Sequence, residues 1–271
     1  MQQPYRRDLN ITFDGSLEGF LCIVHAYYYD KILPIRIQSD TQPEQQALDA
    51  ETFYVGTDFQ LASKVQKAIG KKISRQAQSN IALAFMASDE ERYQDLFRYI
   101  LLGFKLGEIV DNHLQEDCVL NVQKRASRVG KEAHLLYGFC RFAEIKNGLF
   151  YSTVTPENDV LPLLAEYFSD RMMYQAWIIH DKKRNLAAIY NGNHYTIEQV
   201  PNNIQLQYSF GAIEESKEMY EKHVQDLWTT FFNAIAIPER TNPKLQRNLL
   251  PLHFRKNMLE FQQSSININE N

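Results

Sequence analysis

Near residue 138 the apolar pattern of this chain changes its period, and that change constrains the fold more than any other feature. From Val119 to Tyr137, the residues Val122, Ala126, Val129, Ala133 and Leu136 recur at steps of four and three, which lines one face of a helix with apolar side chains. Beyond it, two strand-like segments over Phe139–Ile145 and Leu149–Thr155 flank Lys146-Asn147-Gly148. Asn-Gly tolerates the positive φ angles of a tight two-residue turn, so a β-hairpin is expected there. The stretch Lys131–Tyr190 therefore holds both a helix and strands that must share a core. That combination predicts an α+β protein with a predominantly antiparallel sheet packed between helical blocks.

The rest of the chain supports that class. Ile11–Phe13 reads as a short strand, Asp14-Gly15-Ser16 as a turn, and Ser16 as the N-cap of a helix over Leu17–Tyr29. Pro34–Ile37 and Thr52–Val55 read as strands, and Asp58 caps a helix through Ile69. A further helix is expected over Arg75–Met86, and a long one over Glu90–His113, weakened at Gly103 and Gly107. After the hairpin, Asn158 or Asp159 is the expected cap of a helix carrying Leu161, Leu164 and Phe168, with Pro162 in its first turn. Trp177–His180, Leu186–Tyr190 and Tyr195–Val200 are strand-like. Helices are again expected over Glu214–Ile235 and from Asn242 towards Leu259. One compact domain over residues 1–260, helical in its N-terminal half, and a polar, frayed tail over 261–271 are the organisation this predicts.

Charge and cysteine content narrow the function. The formal charge of −4 excludes a chain that is basic overall, so any nucleic-acid contact must come from a local patch. Cys22, Cys118 and Cys140 are odd in number and far apart, which suits reduced thiols in a cytoplasm and no disulfide framework. No basic, then apolar leader opens the sequence, and no apolar run reaches the ~20 residues of a membrane span. A cytoplasmic location is expected.

Two kinds of candidate residue stand out. Glu132 with His134, and His180 with Asp181, are acid–imidazole pairs at the ends of apolar segments, suited to moving protons or ligating a metal. Neither pair is a ready chelate. Positions 132 and 134 point to different sides of a helix, and adjacent strand residues face opposite ways. No metal and no cofactor are assigned. Three basic groups suit phosphate contact: Lys124, Arg125, Arg128 and Lys131 on the helix; Lys182, Lys183 and Arg184 in a strand-to-strand turn; and Arg240, Lys244, Arg247, Arg255 and Lys256 near the C-terminus. Each group is also what a solvated helix face or turn carries.

Several ordered motifs resemble one bacterial family. FDGSLEGFLCIVHAYY, EAHLLYGFCRF, VTPENDVLPLLAEYFSDR, WIIHDKKRNLAAIYN and IAIPERTNPKLQRNLLPLHFRKN together look like a family labelled DNA metabolism protein, a domain of unknown function, and they cover nearly the whole chain. The resemblance implies a role in DNA repair or modification beside a radical SAM protein, and some related proteins join the domain to a uracil-DNA glycosylase-like unit. It assigns no functional residue. Cys22, Cys118 and Cys140 lack the close spacing that holds an iron–sulfur cluster. The glycosylase motifs are also missing, and Pro251-Leu252-His253 does not supply them. The resulting expectation is a DNA-binding accessory of a radical SAM partner, with DNA and that protein as partners. The alternatives are a DNA-processing enzyme using the neighbourhood of His134 and His180, or a protein-binding scaffold.

Overall fold

The computed structural model describes residues 6–40, 52–146, 148–200, 250, 252–255 and 257–258. It divides into two compact units, Met1–Gly130 and Lys131–Asn271.

In the first unit β1 (Arg6–Phe13) leads into helix α1 (Leu17–Tyr29), and the chain returns as β2 (Ile32–Ser39). A strand that comes back through a helix re-enters the sheet in the same direction, so β1 and β2 pair in parallel. β3 (Thr52–Tyr54) pairs in parallel on the other side of β1, which makes the order β2–β1–β3. Ser16 caps α1 as its local sequence requires, its hydroxyl accepting from the Gly19 amide at 2.9 Å. Asp58 likewise caps α2 (Phe59–Lys72), accepting from the Gln60 and Leu61 amides. Gly19 is held small by its surroundings, because a Cβ there would collide with the Asp14 carboxylate and the Thr57 hydroxyl.

Helices α3 (Arg75–Phe85) and α4 (Glu91–Leu106) follow. The expected long helix stops at Gly107, whose φ of +69° turns the chain into a 3-10 segment over Gly107–Asn112. Ile11, Phe13, Phe20, Ile23, Leu96 and Ile100 form the buried centre. Helix α5 (Asp117–Phe139) runs through the division at Gly130, and Val122, Ala126, Val129, Ala133 and Leu136 are all buried, as their spacing requires.

The second unit contains the hairpin. β4 (Ala143–Lys146) and β5 (Leu149–Val154) pair antiparallel, with Gly148 just before β5 at a φ of +78°. Helix α6 (Leu161–Arg171) then carries the chain to β6 (Ala176–Asp181), and β7 (Leu186–Tyr190) and β8 (Tyr195–Gln199) complete a five-stranded sheet in sequence order. Trp177, on the buried face of β6, stacks on Tyr190 at 5.2 Å.

A predominantly antiparallel sheet is not what forms. The first sheet is wholly parallel, and the second is mixed because β5 and β6 are parallel. The reason is α6: a helical crossover between β5 and β6 brings the chain back to the end where β5 began. The expected combination of helices and strands is present, with one parallel and one mixed sheet in place of the predominantly antiparallel one. The cap of α6 also differs, since Val160 occupies it without a side-chain bond and Asn158 is used elsewhere. No helix among the described residues is long and apolar enough to cross a membrane. The expected helix over Glu214–Ile235 and the tail over 261–271 lie outside the described residues. Of the last expected helix, only α7 (Leu252–Arg255) is described.

Candidate functional site

The acid–imidazole candidates separate into a clamp and a polar patch on opposite faces of the second sheet. Glu132 projects from α5 and is buried. Its Oε1 accepts from the Glu157 amide at 2.7 Å, and its Oε2 accepts from the Asn158 amide at 3.0 Å and the Asn158 side-chain amide at 2.6 Å. A buried carboxylate held by three N–H donors anchors the loop that carries them.

Asp181 is wholly buried at the end of β6. Its Oδ1 accepts from the amides of Lys183 and Arg184, and its Oδ2 takes the Arg184 guanidinium at 2.9 Å. Arg184 in turn donates to the carbonyls of Pro156 and Glu157. The 156–158 segment is thus gripped from α5 by Glu132 and from the β6–β7 turn by Arg184. Glu132, Asp181 and Arg184 make one structural clamp, and Asn158 is the member that sequence reading missed. Its signal was present in the Asn-Asp of VTPENDV, but an Asn before a helix reads first as a cap.

His180 lies on the other face of β6. Its Nδ1 and Tyr151 Oη share a hydrogen bond of 2.9 Å, and the register sets Thr153 of β5 beside His180. Thr153 donates to Asn257 Oδ1 at 3.3 Å. Burial pushes the imidazole below its ordinary range; a hydrogen bond with Asn185 opposes this, Lys182 adds to it, and Asp181 opposes it. A neutral ring joined to a phenol can accept or relay a proton, which is the chemistry this patch offers. Tyr151, Thr153 and Asn257 were not singled out by sequence, because cross-strand register decides which residues share a face.

His134 lies on α5 and not on the sheet. It is exposed on α5 near Tyr137, which stacks on Tyr167 at 4.1 Å. Among the described residues, no group of three or more His, Cys, Asp or Glu side chains could hold a metal ion. The three cysteines are free, and burial raises each thiol, Cys140 up to about 12, so none is a thiolate near neutral pH.

The basic groups also sort by burial. Lys124, Arg128 and Lys131 are exposed along α5, but Arg125 lies beneath them. Its guanidinium meets Asp89 and Asp95, each at 2.7 Å. Arg128 shares Asp89 at 2.9 Å while remaining half exposed. Arg125 is therefore an internal tie and no part of the outer ridge, because two carboxylates of the preceding segment draw it inward. Lys182 and Lys183 are exposed at the β6–β7 turn. Arg255 is half-buried and donates to the Leu250 carbonyl at 3.3 Å; Arg240, Lys244, Arg247 and Lys256 lie outside the described residues.

A family model described as a domain of unknown function, DUF4130, matches residues 90–260. No curated protein matches the chain.

Proposed function

We propose that this chain, which belongs to the DUF4130 family, is a DNA-binding accessory protein in DNA repair or modification that acts with a radical SAM partner. The observation that supports it is the exposed row of α5. After Asp117 its exposed positions are Lys124, Ser127, Arg128, Lys131, His134 and Gly138, with no acid among them. The cations from Lys124 to Lys131 span about 10 Å of helix, close to the axial reach of about three phosphates on one strand. The exposed Lys182 and Lys183 form a second cationic group, on a turn in which Asp181 accepts from the backbone amides of Lys183 and Arg184. The radical SAM partner rests on the family resemblance of the sequence motifs.

The test leaves Arg128 in place, because its pairing with Asp89 is structural. Lys124→Glu, Lys131→Glu and Lys182→Glu combined should weaken binding to a short DNA and flatten its log–log salt dependence by up to about 2.7 units, at roughly 0.9 per lost phosphate contact. Unchanged affinity and slope would remove α5 as the interface. The partnership is checked by copurification and crosslinking with the radical SAM protein, with and without DNA. Absence of contact in both conditions ends it.

One observation favours a second reading, a DNA-processing enzyme, namely the Tyr151–His180 bond. In that case Tyr151→Phe and His180→Gln should each abolish turnover of damaged DNA while the melting transition stays in place.

A further inference from the structure

A cleft of about 330 Å³ in the first unit lies along the open edge of β2. Ile35, Arg36 and Ile37 all line it, although consecutive strand residues point to opposite faces, so the cleft follows the strand's backbone edge. Its other wall is one face of α4 and the residue before it, with Glu90, Glu91, Gln94 and Arg98 at helical spacing. Among the described residues β1 is the sole strand paired with β2, so along Ile35–Ile37 the edge away from β1 offers backbone N–H and C=O groups that no described strand takes. Ile35 is 53% exposed on that edge.

We propose that this cleft receives an extended peptide of a partner protein, which adds to β2 as a further strand. The charges on the helical wall state what that peptide carries. Glu90 and Glu91 stand at one end and Arg98 at the other, about 11 Å apart along the helix axis. A strand advances about 3.3 Å per residue, so roughly four residues cover the gap, and positions i and i+4 share a face. The peptide therefore bears a basic residue near Glu90 and Glu91 and an acidic residue four positions away, near Arg98. Between them lies Gln94, whose buried Oε1 has no hydrogen-bond partner among the described residues. A hydroxyl or amide donor at position i+2 satisfies it. Asp95 also lines the cleft, but Arg125 and Asn121 already occupy its carboxylate. The ladder supplies affinity and the three alternate side chains supply direction and register. This surface is independent of the α5 cations and of DNA.

The probe is a fluorescein-labelled peptide, acetyl-Val-Lys-Val-Thr-Val-Glu-Val-amide, titrated into the full chain and followed by anisotropy. Saturable binding is expected. N-methylating one alternate set of its amides should weaken binding at least about tenfold, while methylating the other set leaves it nearly intact, because only every second N–H faces β2. Glu90→Lys with Glu91→Lys and Arg98→Glu should weaken the same peptide about tenfold and should favour a peptide with Lys and Glu exchanged. No binding up to about 1 mM, equal tolerance of both methylated sets, or indifference to the exchange would overturn the proposal. So would a sedimenting dimer that the peptide fails to dissociate, since a second copy would then hold the edge. The methylation arm uses the unaltered protein and stands even if the charge-reversed variant misfolds.

Discussion

Arg125 and Glu132 lie on the same helix about two turns apart and are equally buried, each 8% exposed, yet they are neutralised in different ways. In the first unit the guanidinium of Arg125 is met by two carboxylate side chains, Asp89 and Asp95. In the second, the carboxylate of Glu132 is met by main-chain and amide N–H donors of Glu157 and Asn158. A charge balanced by opposite charges depends on every partner keeping its ionisation. A charge balanced by peptide dipoles depends on the loop keeping its position, so Glu132 acts on geometry where Arg125 acts on charge.

The largest effect should come from Arg125→Met, which removes the buried cation shared by Asp89 and Asp95, leaving Asp89 the half-exposed Arg128 and Asp95 the Asn121 amide, and should cost about 3 kcal/mol in urea unfolding. Adding Asp89→Asn and Asp95→Asn should recover much of that loss, because the uncompensated carboxylate charges are then gone. If the triple variant is no more stable than the single one, charge balance is not what Arg125 provides.

Glu132→Gln should cost about 2 kcal/mol and should resemble Glu132→Ala, since an NH2 group would face the donors that one carboxylate oxygen now satisfies. Hydrogen exchange at the Glu157 and Asn158 amides should speed up in the same variant. A neutral Glu132→Gln substitution would show that the loop holds without its clamp.

The smallest effect is a pH step. Burial depresses the folded-state value of His180 below its ordinary 6.5, so the unfolded chain takes up the proton first. Stability from this group is fully present above 6.5 and falls as pH drops through the depressed folded value. His180→Gln should flatten that part of the profile. Asp89, held low by Arg125 and Arg128 against its own burial, acts further into acid: its contribution is present above 3.8 and is lost as pH falls below that. Arg125→Met should shrink the acid step without moving the His180 step, and a shift of both together would break the distinction between the two regions.

Much of this architecture was legible in local pattern. Ser16 and Asp58 are caps because their side-chain oxygens reach amides two or three residues ahead, and sequence neighbours fix that geometry. The apolar stripe of α5 and the turn between β4 and β5 are also local. The candidate site was less legible. Glu132 and Asp181 were visible as acids, but their roles depend on residues 156–158 and 183–184, which only folding brings to them. His180 was visible, whereas its partner Tyr151 comes from a neighbouring strand.

By itself the sequence determined most helices, the caps of α1 and α2, the β4–β5 hairpin and the apolar face of α5, because these follow from interactions a few residues long. Tertiary structure alone decided the parallel pairing of β5 with β6 and the inward turn of Arg125. The first follows from where the α6 crossover returns the chain, the second from Asp89 and Asp95 meeting a helix some thirty residues later. Pairing partners and buried charges are set by proximity in space, and a periodic pattern carries no record of which distant segment arrives.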